Sequence, residues 1–376
     1  MFKPFKPIGI LFCALILLAG CATTPKQPEE VISPPAASQS NAALNWEDPN
    51  AVHRPPAHQV VQPAPVATVN SPPRVVHQTA TAEPVQTWTA LDRWAAQHKV
   101  GTPHLLSGTP VRTYAVSSLN GVMILAIGSR EASWNGVEML LGFAPELIDG
   151  QMFVHGLDLQ KNLEPLLCAP PLTFNPNRVI VIDPGHGGSN VGTHSVLDGR
   201  FEKEFTLDWA KRLKPMLETN GWKVFLSRTS DTFLTNSDRV AFADSHNADL
   251  FISLHFNSGA PDEKPHGLTT FCLTPVGMPS TLTRGYADPW MEHLLNNAFD
   301  AQNLQLAIQV QSTLLRATDM DDRGVQRARF MEVLRGQKRP AILIEAGYLS
   351  NPHEAKRIED SEFRQKLAEA VADALK

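Results

Sequence analysis

The chain has 376 residues, room for about two domains of ordinary size. Hydrophobic residues make up 43% and charged residues 19%, enough apolar material for at least one large core. A formal net charge of −5 argues against a nucleic-acid binder, and four cysteines are too few for a disulfide scaffold.

Lys3 and Lys6 precede an apolar stretch from Ile8 to Gly20, and Cys21 follows. The stretch is shorter than the roughly 20 residues of a bilayer span. A basic start, a short apolar core and small residues mark an export signal over 1–20. Leu18-Ala19-Gly20-Cys21 resembles the lipobox of bacterial lipoproteins. That resemblance implies acylation of Cys21, and Ala22 after it implies sorting to an outer membrane. A plain secretory signal is the alternative. Residues 21–84 read as a tether, because 25–84 hold 12 of the 30 prolines and no glycine lies between Gly20 and Gly101. Such a stretch is extended and builds no core. His53, His58 and His77 within it read as solvated polar residues.

Residues 85–170 read as a small β-rich module. Trp88, Leu91, Trp94 and Ala95 have helical spacing, which predicts a helix over 88–98. Val111–Val116, Gly121–Ile127, Val137–Gly142 and Met152–Leu157 read as strands. Asn120-Gly121, Asn135-Gly136 and Asp149-Gly150 are turn signals. The spacing around Ser133–Leu157 resembles the copper-amine-oxidase N-terminal-like modules attached to cell-wall proteins, which implies a structural or wall-binding role. Pro165, Pro170, Pro171 and Pro176 mark a boundary.

Residues 175–376 alternate strands and helices. Val179–Ile182, Val224–Leu226, Leu250–Leu254, Thr269–Leu273 and Ala341–Ile344 read as strands. Glu204–Thr219, Ser237–His246, Gln302–Leu315 and Ser361–Leu375 read as helices. The expected fold is α/β, an open and largely parallel sheet with helices on both faces. Pro215 predicts a kink or early end in the first helix, and Gly221 its stop.

The chemistry gathers at strand ends, where open α/β sheets bind ligands. Asp183-Pro184-Gly185-His186-Gly187-Gly188 ends the first strand, and Ser253-Leu254-His255-Phe256-Asn257 ends another. Glu345 ends the apolar run Pro340–Ile344, and Glu202 opens the first helix. Two histidines and a carboxylate suit zinc with an open position for water. His186, Glu202 and His255 would be the ligands, with Glu345 as general base. Taken singly, each histidine reads as a surface residue, and Glu202-Lys203-Glu204 as a solvated helix start. Glu345 is the strongest single case, because a buried acid must be paired, solvated or bound. His194, His246, His266, His293 and His353 have no comparable setting, though His266 beside Gly267 is a candidate substrate contact. Gly187-Gly188 with Gly192 lacks the Lys-Ser/Thr of a phosphate loop.

Residues 178–376 resemble the zinc-dependent N-acetylmuramoyl-L-alanine amidases of the bacterial cell-separation type (amidase family 3). The matching segments are Val181–Gly188, Glu202-Lys203, Leu226–Arg228, Asp231, Arg239, Asp249–Asn257, Arg323-Gly324-Val325 and Pro340–Asn351. The resemblance implies hydrolysis of the amide between N-acetylmuramic acid and L-alanine of peptidoglycan. It also implies one zinc per chain on His186, Glu202 and His255, with Glu345 catalytic. The place of action would be the periplasm, with a membrane anchor at Cys21 and a protein activator as a further partner. Two departures stand out. Ser189-Asn190-Val191 replaces the family's usual acidic residue and Ala or Gly. Pro275–Asn303 is long where some relatives carry an autoinhibitory helix, and its prolines leave only Trp290–Asn297 for a short one. The rival readings are a non-catalytic peptidoglycan-binding lipoprotein and a zinc peptidase cutting within the stem peptide. Whether Cys168 and Cys272 pair is open at this point.

Overall fold

The structure, a computed structural model, describes residues 87–174 and 178–376. The export signal, Cys21, the Pro-rich tether with its histidines, and Pro176 lie outside the described residues. The first region holds β1 (Trp88–Ala90), α1 (Leu91–His98), β2 (His104–Ser107), β3 (Thr113–Ser118), β4 (Gly121–Ala126), β5 (Glu131–Trp134), β6 (Val137–Leu140), β7 (Glu146–Ile148) and β8 (Gln151–His155). A short α2 (Gly156–Asp158) runs into a π-helix, Leu159–Cys168. Then come β9 (Val179–Pro184), α3 (Glu202–Thr219), β10 (Lys223–Leu226), α4 (Asn236–Ser245), β11 (Leu250–Asn257) and β12 (Leu268–Cys272). A 3₁₀ helix, Leu295–Phe299, leads into α5 (Asp300–Thr318), β13 (Asp322–Arg327), α6 (Glu332–Arg335), β14 (Ala341–Tyr348), α7 (Pro352–Glu359) and α8 (Ser361–Ala374).

One sheet of eleven strands has the order β10-β9-β11-β14-β12-β13-β6-β5-β4-β3-β2. β10, β9, β11 and β14 are mutually parallel, while β12 opposes β14 and runs parallel to β13. β6 pairs with β13 through Met139 and Val325, so the strands of the first region continue the sheet of the second. A separate small sheet has the order β1-β8-β7.

Alternation within the strands builds two cores. Ile180, Ile182, Ile252, Leu254 and Ile344 pack with Phe205, Trp209 and Leu213 of α3, Leu304 of α5, and Leu367 of α8. Val181, Phe251 and Leu343 point the other way, to Ala243 of α4 and Val333 and Leu334 of α6. Burying each such aliphatic or aromatic side chain contributes roughly 1.5–3 kcal/mol. All eight residues of β14 are buried, as a central strand covered on both faces requires. The expected α/β layering with helices on both faces is therefore present.

Several expectations need correction. The predicted helix 88–98 starts only at Leu91, because Trp88–Ala90 pair antiparallel with β8. Pro215 does not end its helix, which runs on to Thr219. Leu213 and Leu217 beside it are fully buried and anchor the last turns, while Pro215 itself is on the exposed face. Pro165 lies within the π-helix rather than in a linker. β13 escaped prediction because Asp322, Arg323 and Arg327 mask its pattern. Two turn signals hold as left-handed pairs of two-residue hairpins, Asn135 and Gly136 with φ of 49° and 84°, and Asp149 and Gly150 with 50° and 80°. At the third the turn residues are Leu119 and Asn120, and Gly121 already opens β4, paired with Ser118. Cys168 is free and exposed, and Cys272 is free and buried. Among the described residues no helix is long and apolar enough to cross a membrane.

Candidate metal centre and active site

Three adjacent strands aim their carboxyl ends at one edge. In the β9–β11 ladder Ser253 lies opposite Asp183, and the Gly185 N–H donates to the Leu254 carbonyl at 3.0 Å. His186 therefore emerges just past β9. In the β11–β14 ladder His255 lies opposite Glu345. Glu202, the first residue of α3, comes to the same edge.

The four predicted residues are thus gathered at this edge, and three of them form a cluster. Glu202 sits between the two imidazoles, with Oε2 2.9 Å from His186 Nε2 and Oε1 2.9 Å from His255 Nδ1. One ligand-type atom from each of His186, Glu202 and His255 lies within 4.8 Å of the others. Glu202 also accepts the Phe256 N–H at 3.0 Å and the Thr193 N–H at 3.1 Å. Backbone shape makes room. A Cβ on Gly185 would lie 2.3 Å from the His255 ring, and one on Gly192 (φ 72°) 2.5 Å from Glu202 Oε2. His186 itself holds φ of 62°, an uncommon conformation for a residue with a Cβ.

Asn190 was noted only as a departure, yet it orients the first histidine. Its Oδ1 lies 2.8 Å from His186 Nδ1 and also receives the Gly192 N–H at 3.4 Å. An amide oxygen only accepts, so this contact places a proton on Nδ1 and turns Nε2 toward the cluster, where it faces the Glu202 carboxylate. Asp183 was read as part of a motif without a role. It is 1% exposed, pairs with Arg239 Nη1 at 2.5 Å, and accepts from Ser227 and Ser253. Arg239 in turn donates to the carbonyls of Pro184 and His186. Arg228 donates to the carbonyls of Pro184, Gly185 and Lys203, tying the β9 loop to α3. Asp183, like Glu345 an acid ending an apolar run, carries the same signal in the sequence.

The electrostatics separate the two glutamates. Burial works against the charge of Glu202, but His186 and His255 outweigh it and hold the carboxyl well below the usual range. Burial opposes a charge on His186 as well, yet Glu202 and Asn190 raise its pKa. Burial lowers that of His255. Glu345 is pushed up to about 8, first by burial and then by the charge of Glu202, with Arg284 and His186 opposing. Its Oε2 is buried with no hydrogen-bond partner. The donor set fits a dication, which would displace the imidazole protons: two imidazole nitrogens and one ionised carboxylate, with an unsatisfied acid beside them.

The remaining histidines stay outside the cluster. His266 is exposed and pairs with Asp321 at 2.8 Å. His246 packs against the rings of Phe225 and Phe242. In the long segment after β12 only Leu295–Phe299 is helical, as a 3₁₀ turn.

The profile of the N-acetylmuramoyl-L-alanine amidase family matches residues 180–376, more than half of the chain. The N-acetylmuramoyl-L-alanine amidase AmiA of Escherichia coli (strain K12) is 31% identical over 219 residues, covering 53% of this chain and 75% of that protein. The sporulation-specific N-acetylmuramoyl-L-alanine amidase of Bacillus subtilis (strain 168) is 33% identical over 198 residues, covering 52% of this chain and 66% of that protein. A solved structure of an N-acetylmuramoyl-L-alanine amidase from Clostridium difficile 630 is 32% identical, with a TM-score of 0.44, over 53% of this chain and 95% of that one.

Proposed function

Because the chain belongs to the N-acetylmuramoyl-L-alanine amidase family, we propose that it uses one zinc ion, held by His186, Glu202 and His255, to cleave the amide between N-acetylmuramic acid and L-alanine. Zinc there would supply a Lewis acid that polarises the carbonyl and makes water more acidic. The protein's own residues do the rest. Asn190 fixes the His186 tautomer, and the Glu202 carboxylate keeps both rings in place. Glu345 takes a proton from the attacking water and passes it to the leaving amine. The unpartnered, buried Oε2 of Glu345 beside the three-donor cluster is the observation that carries this reading.

The rest of the chain completes the proposal. Residues 1–20 would direct export, and Cys21 would carry the lipid anchor in the outer membrane. The tether of 21–84 would let the enzyme reach peptidoglycan in the periplasm. Residues 85–170 would act as a module extending the catalytic sheet. A protein activator is a further proposed partner.

The test is metal content together with digestion of purified peptidoglycan. His186→Ala, His255→Ala and Glu202→Gln should lose zinc and activity together. Glu345→Gln should keep zinc near one per chain while turnover falls by about 10²–10⁴. Zinc retained by Glu202→Gln but lost by Glu345→Gln would reverse the roles. An intact stem peptide with a free L-alanine amine identifies the amidase, and shorter peptides would favour the peptidase.

A further inference from the structure

Most charged groups at the active edge are paired: Asp183 with Arg239, Lys203 with Asp231, His266 with Asp321. Arg284 and Arg323 differ, being exposed and without an ion pair among the described residues. Each is nevertheless held in place. Arg284 donates from Nη2 to Asn257 Oδ1 at 3.1 Å, and its guanidinium lies 5.6 Å from the Phe330 ring centre. Arg323 donates from Nη1 to the His266 carbonyl at 3.2 Å and lies 5.3 Å from the Tyr348 ring centre. Asn257 and Tyr348 are themselves partners in the β11–β14 ladder. They follow His255 by two residues and Glu345 by three.

The backbone that presents Arg284 is fixed as well. Arg329, 3% exposed, donates to the carbonyls of Pro275, Met278 and Trp290 and pairs with Asp288 at 2.6 Å. Thr281 is tied to the backbone of Arg327 in both directions. Little conformational freedom remains to be lost when a ligand arrives. The free N–H groups of a guanidinium, at known height above an aromatic ring, suit a planar carboxylate. Both arginine charges bear on Tyr348, and that of Arg284 bears on Glu345.

Resting on the amidase reading, we propose that Arg284, with Arg323 beside it, binds a carboxylate of the stem peptide and selects acidic over amidated stems. Two residues along a strand span about 7 Å. Two residues of an extended peptide span about the same distance. A peptide leaving from the cluster therefore brings its second residue, a glutamate or its amide in peptidoglycan, to these arginines.

The experiment compares two muropeptides differing only in whether that second residue is D-glutamate or D-isoglutamine, with full-length protein loaded with zinc. Wild type should favour the acid in kcat/KM by about 10- to 100-fold, the range for a hydrogen bond to a charged group. Arg284→Ala should bring the ratio close to one, mainly through KM, and Arg323→Ala should reduce it. Arg284→Lys should keep part of the preference. A preference unchanged in Arg284→Ala would overturn the assignment. So would wild type cutting both muropeptides equally, although the amidase reading would then stand. Loss of zinc along with the preference would make Arg284 a support of the metal site and likewise overturn it. Failure of wild type to cut either would overturn the amidase reading and this inference together.

Discussion

Replacing Glu345 by glutamine should stabilise the metal-free protein at high pH while disabling the enzyme. The carboxyl is raised from the ordinary 4.5 to about 8. A raised pKa means that the folded protein holds the proton more tightly than the unfolded chain. The stability this contributes is complete below pH 4.5 and is lost as the pH climbs through 8. Each tenfold change in proton affinity is about 1.4 kcal/mol, so the ionised group costs the fold up to about 5 kcal/mol. At 8% exposed, the side chain gets little relief from solvent. Glutamine fills the same space and never ionises. Urea unfolding of chelator-treated wild type and Glu345→Gln at pH 5 and pH 9 checks this. The two should nearly coincide at pH 5, and the variant should be more stable by about 2–5 kcal/mol at pH 9. A gap that does not change with pH would refute the reasoning.

Other outcomes follow from the supports of the site. Asp183→Asn leaves Arg239 buried without a counter-charge and should cost about 3–5 kcal/mol in urea unfolding, with weaker zinc retention; a loss under 1 kcal/mol would count against the pair. In wild type, burial opposes the Asp183 charge but Arg239 and two serines outweigh it, so its pKa is depressed. That share of stability is present above the ordinary carboxyl range and disappears on acidification below it. Asn190→Ala removes the acceptor that orients His186 Nδ1 and should weaken zinc binding about 10- to 100-fold in chelator competition. Cys21→Ser should leave the protein unacylated, soluble or stalled as a precursor; normal fractionation with the outer membrane would argue against the lipid anchor.

Much of the fold was legible because its strands are plain. β9, β11 and β14 are apolar runs ended by polar residues, so the edge where chemistry gathers could be read directly. What escaped was carried by polar residues. β13 spends its positions on Asp322, exposed Arg323 and buried Arg327, a burial pattern that no period reveals. Asn190 gains its meaning from a ring placed four residues back by a left-handed turn at His186. Arg284 depends on Asn257 and Phe330, which only the folded chain brings near it. The proline signal misled at Pro215 and Pro165 because tertiary packing holds both helices through the missing donor.

The join between β13 and β6 bears on how the protein tolerates cutting. Met139 pairs with Val325, the Glu138 N–H donates to Asp322, and Arg327 reaches the Lys161 carbonyl and Asn162. A fragment beginning at residue 178 would leave β13 as a bare edge with unsatisfied amides and carbonyls, a template on which another copy could add a strand. Residues 104–140 thus act as a cover against self-association. Proteolysis within 141–177 followed by loss of the leading piece should yield a catalytic remnant that oligomerises or precipitates rather than a smaller free enzyme.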